Sequence, residues 1–457
     1  VKGEYVTFPQ QARYVTDMRK KKIITLGLCI GFVTFLAVYL GLFADRETSP
    51  FEISKVYSLS LSEGDKIDVR YVTAVDLTDD GRKEVLMSYD VYSYEEQMIE
   101  GSLVFAIRYK EASVLVLSSD VAGNFQKSWE YSSGLTRQTA ATGDFDGDGK
   151  VDVVVGGYVL ENADVFPPVG TSMVEVLLQE DGGFDKVFSV NIPQFLGPGR
   201  IVTGDFDGDG RMDFVAGGLA VENEGPYHAY LFHNVGDENF IMSPIALREG
   251  ILVEDMWKAD INSDGSPDLV IQAVDFDDET SSLILVLNDG RGEFEFGELD
   301  VPVDSIVIED FATSGCPDII YIEVTQTGSE VYFLRNDQGE FVGPSPIDIQ
   351  GGGGWLDAMI AGDFNSDGAL DVILLERSAE FREDLGRFET SLIGHLFLIE
   401  KSTKGELSFT REWSEKFLEE KDVSPEYAAA AADIDDDGSI DLILVSRAGE
   451  VYLALNK

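Results

Sequence analysis

Asp144-Phe145-Asp146-Gly147-Asp148-Gly149-Lys150-Val151-Asp152 is a nine-residue stretch that recurs along the 457-residue chain. A near duplicate, DFDGDGRMD, begins at Asp205. DINSDGSPD begins at Asp260, DFNSDGALD at Asp363 and DIDDDGSID at Asp433. Two worn versions, DLTDDGRKE from Asp76 and DFATSGCPD from Asp310, complete a set of seven. All seven carry Asp at position one, Gly at position six and an acid at position nine, and each runs into an apolar stretch such as Val153-Val154-Val155. Self-similarity at such a period signals a repeat architecture.

Oxygen-bearing side chains at positions one, three and five of a tight loop suit calcium, a hard cation that takes six to eight oxygens. Position seven adds a backbone carbonyl and position nine a second carboxylate. Gly at position six permits the reversal that brings five and nine together. The expected ligand sets are Asp144, Asp146, Asp148, Lys150 and Asp152; Asp205, Asp207, Asp209, Arg211 and Asp213; Asp260, Asn262, Asp264, Ser266 and Asp268; Asp363, Asn365, Asp367, Ala369 and Asp371; Asp433, Asp435, Asp437, Ser439 and Asp441. Lys150, Arg211, Ser266, Ala369 and Ser439 serve through their carbonyls. Magnesium tolerates less distortion and keeps more water.

The loop opens like an EF-hand but lacks the Glu at position twelve. Val155, Ala216, Ile271, Leu374 and Leu444 stand there, inside strand-like runs. The alternative is a set of Asx turns between strands with no metal. Five full copies favour a cation, because clustered carboxylates repel one another without one. The loop from Asp76 keeps Thr78, Asp80 and Glu84 and is a weak site. The loop from Asp310 has Ala312 and Ser314 where ligands belong and is read as structural.

The pattern resembles the FG-GAP repeat (VCBS, or integrin alpha-chain-like), whose loops read D-x-D/N-x-D-G-x-x-D. The resemblance covers residues 51–457. It implies an all-β, seven-bladed β-propeller with a calcium loop between the first two strands of each blade, and about five calcium sites.

Ahead of the repeats, residues 1–22 hold six basic and two acidic residues and read as a short tail. Ile23 to Phe43 is uncharged for 21 residues, long enough to span a bilayer as one helix. Leu42-Phe43-Ala44 is a poor cleavage site for a signal peptide. The Arg19–Lys22 cluster predicts a cytoplasmic N-terminus by the positive-inside rule. The expectation is therefore a single-pass type II protein of the cell membrane, with a linker at 44–50 and the propeller outside. Integrin alpha chains run the other way and carry further domains, so heterodimerisation and signalling do not carry over.

Successive starting aspartates lie 50 to 70 residues apart, room for four strands and their turns. Between Asp144 and Asp205 the strands read as Val151–Gly157, Met173–Gln179, Phe184–Asn191 and Arg200–Gly204. After Asp433 only two strands fit, 441–446 and 450–455, so the segment around Ile53–Leu61 is expected to donate the missing outer strand. Each blade is expected to bring its own core. Residues 88–110 and 376–394 exceed what two strands need; they are either surface loops on a binding face or longer hairpins.

Acids outnumber Lys and Arg by 84 to 34, for a net charge of −50. That excludes nucleic acid and anionic membrane surfaces as direct partners. Cys29 and Cys316 are the only cysteines, so no disulfide forms within the outer domain. His228, His233 and His395 do not match zinc spacing, and no nucleophile elbow, zincin or phosphate loop is present. Trp129, Trp257, Trp355 and Trp413 read as core. The expected function is non-catalytic: a cell-surface calcium-binding propeller for adhesion or interaction with an extracellular protein or glycan. A lectin or a calcium-dependent polysaccharide lyase is the alternative.

Overall fold

The computed structural model describes residues 50–457, apart from 79, 100–101, 121–122, 163–168, 181–182, 193–194, 221–226, 248–250, 276–279, 300, 350–354, 383–386, 402–406 and 421–426. The expected tail, membrane segment 23–43 and most of the linker lie outside the described residues. Among the described residues, no helix is long and apolar enough to cross a membrane.

Seven four-stranded antiparallel sheets follow one another as the blades of a propeller. Blades one to six comprise residues 66–131, 136–192, 195–246, 251–299, 305–347 and 355–420, with their strands paired in chain order. The first strands of neighbouring blades approach one another around the central axis. Blade seven is sewn from both sides of the array. Tyr427–Ala432, Asp441–Ser446 and Glu450–Asn456 form its inner three strands, and Phe51–Ser58 is its outermost. Phe51 pairs with Asn456 and Ser58 with Glu450 in antiparallel register. The donated strand is thus observed, shifted two to three residues toward the N-terminus of the expected segment. It covers an edge that would otherwise invite pairing with another chain.

The four strands read from sequence in the second repeat fall, except for Val151, inside Asp152–Asn162, Val169–Glu180, Gly183–Ile192 and Phe195–Gly204. The last of these opens blade three, so a blade begins one strand before its loop. The two long intervals are long hairpins, Glu84–Ile99 with Ser102–Ser119 and Asp371–Arg382 with Arg387–Lys401.

The expectation that each blade brings its own core needs correction. The seven apolar clusters lie between blades. Phe206 and Leu231 of blade three, for example, pack on Met256 and Leu269 of blade four. Blades six and seven share Trp413, Phe417 and Leu442, and blades seven and one share Leu453 and Met87. Each sheet is covered on both faces. This is why second strands such as Asp268–Asp275 and Asp441–Ser446 are buried along nearly their whole length instead of alternating. Outer strands such as Glu340–Ile347 are mostly exposed.

Candidate metal centres

All seven loops join the first strand of a blade to its second. Gly at position six has φ between +84° and +91° in every copy, a conformation that disfavours any other residue. Position four is also left-handed where φ is printed. Gly147 and Gly208 occupy it in two loops, but Ser263, Thr313, Ser366 and Asp436 adopt φ of 48° to 59° in four others. The first-position Asp draws these turns together. Asp144 accepts from Gly147 N and Gly149 N at 2.8 and 3.0 Å, and Asp433 from Asp437 N and Gly438 N at 3.2 and 3.0 Å. The same bonds form in the worn loops, on Asp76 and Asp310. The first-position carboxylate, accepting from the loop's own N–H groups, therefore holds the turn in all seven copies.

The ninth-position acid is buried and ties the loop to its blade. Asp268 accepts from Ile261 N at 2.9 Å and from Asn288 N, on the third strand, at 2.7 Å. Asp152, Asp213, Asp318 and Asp441 do the same with Gln179, Asn234, Asn336 and Asn456. Those asparagines then reach the preceding blade. Asn234, Asn288, Asn336 and Asn456 donate their amides to Phe145 O, Phe206 O, Ile261 O and Phe364 O at 2.7 to 2.9 Å. Gln179 reaches Leu77 O in the same way. Sequence reading missed this lock between blades. Each ninth-position oxygen retains a second lone pair, so it can still ligate.

Three loops gather carboxylates closely. The ligand oxygens of Asp144, Asp146 and Asp152 lie within 4.8 Å of one another, as do those of Asp205, Asp207 and Asp209 and those of Asp433, Asp435 and Asp441. In the loops from Asp260 and Asp363, position three is Asn. Its amide donates to the fifth-position carboxylate, Asn262 to Asp264 and Asn365 to Asp367, each at 2.9 Å. Basic side chains at position seven pair with position five in three loops: Lys150 with Asp148, Arg211 with Asp209 and Arg82 with Asp80.

His233 joins the second loop, its Nδ1 3.1 Å from Asp207, and forms with Asp207 and Asp213 a further group of possible ligands. It sits one residue before Asn234, whose backbone is bound by Asp213, so the third strand delivers it to the loop. In the worn loop from Asp310 a lysine enters instead: the Lys401 ammonium donates to Ala312 O and to Thr313 Oγ1.

Burial raises the carboxyls of Asp152, Asp213, Asp268 and Asp371 to about 6. For Asp152, Asp146 and Asp144 add to the effect; for Asp213, Asp207 does. A divalent cation would reverse this by favouring the charged forms. The donor set fits calcium: hard oxygens, several charges and a loop already closed by its own hydrogen bonds.

Elsewhere, His395 is buried between Ser414 and Glu376, at 2.7 and 2.9 Å from its two nitrogens. His395 and Ser414 are cross-strand partners in blade six. The group reads as a satisfied buried histidine.

Residues 310–374 match the family model of the FG-GAP-like repeat, a span that includes the worn fifth loop and the complete sixth. No curated protein matches in sequence. Among solved structures, one similar to this chain is the "crystal structure of exotype rhamnogalacturonan lyase YesX", with a TM-score of 0.50 and 13% identity, covering 88% of this chain and 76% of that one. Another is the "structure of Dos1 propeller", with a TM-score of 0.43 and 12% identity over 89% and 95% of the two chains. At this identity the first likeness concerns the fold alone.

Proposed function

We propose that this seven-bladed propeller of FG-GAP-like repeats is a calcium-stabilised interaction module, held at the outer face of a cell membrane and non-catalytic. The observation that carries the metal reading is the gathering of three carboxylates within 4.8 Å in the loops of blades two, three and seven. Such groups repel one another until a cation joins them. Lys401 supports the same reading from the opposite side, because it brings a fixed positive charge to the loop that has lost its ligands. Membrane attachment is supported by the uncharged run from Ile23 to Phe43 and the basic cluster before it.

Calcium at the five complete loops would be bound by the residues set out above and would stiffen one face of the ring. Extracellular modules of this kind bind calcium at about 10⁻⁴ to 10⁻³ M. The opposite face, where the long hairpins turn, would then present a fixed surface to a protein or glycan. The melting temperature of the full chain is expected to rise with calcium, and Asp148→Ala to blunt the rise. A melting temperature indifferent to calcium and to chelator would remove the metal from this reading. For the interaction itself, the immobilised full chain is exposed to solubilised envelope from its source cells. Retention of a protein released by chelator supports the proposal. A polysaccharide shortened on incubation would replace it with the lyase alternative.

A further inference from the structure

The first strands of the blades are interrupted at one level. Register shifts fall at Val69/Tyr71, Thr136/Thr139, Pro198/Arg200 and Val253/Asp255 in blades one to four. These bulges lie five to eight residues before the metal loops, about 20 Å along the strand, on the opposite face of the ring. Bulges re-aim side chains, and here they sort charge around the central channel. Blades one to three contribute Arg70, Arg137 and Arg200; blade four contributes Glu254 and Asp255.

Most of these charges are spoken for. Arg200 pairs with Asp255 through two bonds of 2.5 and 2.7 Å and crosses to blade one, donating to Arg70 O at 2.6 Å. Arg70 pairs with Asp68 at 2.8 Å and lies 3.6 Å from Asp90, which also accepts from Gln138 N at 3.0 Å. Arg137 differs. Its side chain is exposed, its φ is +54°, and its guanidinium makes no hydrogen bond or ion pair among the described residues. It lies near Arg70, Tyr109, Asp90 and Asp68, and the surrounding protein mass and the Arg70 charge lower its pKa. A guanidinium nonetheless keeps its proton. The chain thus holds an unpaired, accessible arginine in a left-handed backbone conformation beside a second arginine, in a protein whose net charge is −50. The buried Asp90 carboxylate takes the backbone N–H groups of Arg137 and Gln138, which shapes the turn there but leaves the Arg137 side chain without a partner among the described residues.

We propose that Arg137 anchors a carboxylate-binding site at the mouth of the central channel, on the face opposite the acidic loops. The planar fork of its guanidinium suits a carboxylate held by two parallel bonds. Arg200 bridges blades one, three and four and fixes the wall beside it. The ligand class is a carboxylate-bearing group small enough to enter the channel mouth, from an acidic sugar or an acidic side chain. This rests on the reading that the face away from the loops is the binding face. It is tested independently of the metal, because calcium dependence is read from melting and this site from titration.

The full chain, saturated with calcium, is titrated calorimetrically with glucuronate, with N-acetyl-aspartate and with inorganic sulfate. Saturable binding of either carboxylate, weakened at least about tenfold by Arg137→Gly and less by Arg137→Lys, is the expected result. Whichever carboxylate binds tighter names the source. Arg137→Gly is expected to keep or raise the melting temperature, because glycine relieves the positive φ; a merely structural arginine would lower it. Absence of saturable carboxylate binding at millimolar concentration, binding unchanged by Arg137→Gly, or sulfate held as tightly as both carboxylates would each overturn the proposal.

Discussion

Asn288 shows how much one side chain holds. Its backbone N–H donates to Asp268, and its amide donates to Phe206 O at 2.9 Å and Pro267 O at 3.1 Å, so it fastens the loop of blade four to that of blade three. Asn288→Ala leaves buried carbonyls without donors and is expected to cost about 1–3 kcal/mol, read from urea denaturation. A variant as stable as the parent would show that water replaces the amide. Ser366 sits at position four of the sixth loop with φ of 58°. Ser366→Gly is expected to raise stability by about 0.5–1 kcal/mol, since relief of the left-handed strain exceeds the entropy glycine adds to the unfolded chain; a fall on thermal melting would contradict this. At this scale the sequence discloses the loop itself. Gly at position six and Asp at positions one and nine are local requirements, visible within nine residues. The asparagine lock is not, because Asn288 and Phe206 are 82 residues apart. His233 escapes for the same reason: its partner Asp207 lies on a loop 26 residues earlier.

Strands tell a similar story one level up. Phe51, the first residue of the donated strand, packs edge-on against Trp413, Phe417 and Phe364 with ring centroids 5.6 to 6.2 Å apart. Phe51→Ala is expected to cost about 3–5 kcal/mol and to loosen the last blade, seen as faster amide exchange in Glu450–Asn456. Exchange unchanged there would mean that the strand closes nothing. The donor was legible by counting, because the strands after Asp433 fall short of four. The bulges were not legible, since nothing in composition marks where a first strand departs from its register. One of them shapes a buried acid. Asp90, on the second strand of blade one, is raised to about 7 by burial, against an ordinary value of 3.8, with Arg70 and Gln138 N opposing and Asp68 adding to the shift. The folded state thus holds a proton that the unfolded state has released. The associated stabilisation is full below pH about 4 and lost as pH rises to about 7. Asp90→Asn keeps an acceptor for Gln138 N and is expected to flatten the stability profile across that window by about 1–3 kcal/mol. Equal slopes in the two proteins would show that Asp90 ionises freely.

The whole molecule carries a net charge of −50 within a ring closed by its own N-terminal strand. Self-repulsion at that charge opposes compactness and is screened by salt. In chelator, the melting temperature is expected to climb with ionic strength, and to climb less once calcium is present. A salt response the same in both conditions would place the repulsion away from the loops. The ring of blades was legible from seven recurring aspartates, whereas the placing of the apolar clusters between blades was not, because a run such as Leu442-Ile443-Leu444-Val445 does not say which sheet covers it. Closure by an antiparallel ladder has a mechanical consequence. Phe51 lies opposite Asn456, so tension between these two neighbouring points would load the ladder bonds one after another, as in opening a zip. Drag that pulls Phe51 along the strand axis, away from Ser58, would instead load every rung at once. The same clasp is therefore weak to peeling and strong to shear, and the direction in which a tether leaves residue 51 decides which strength the ring displays.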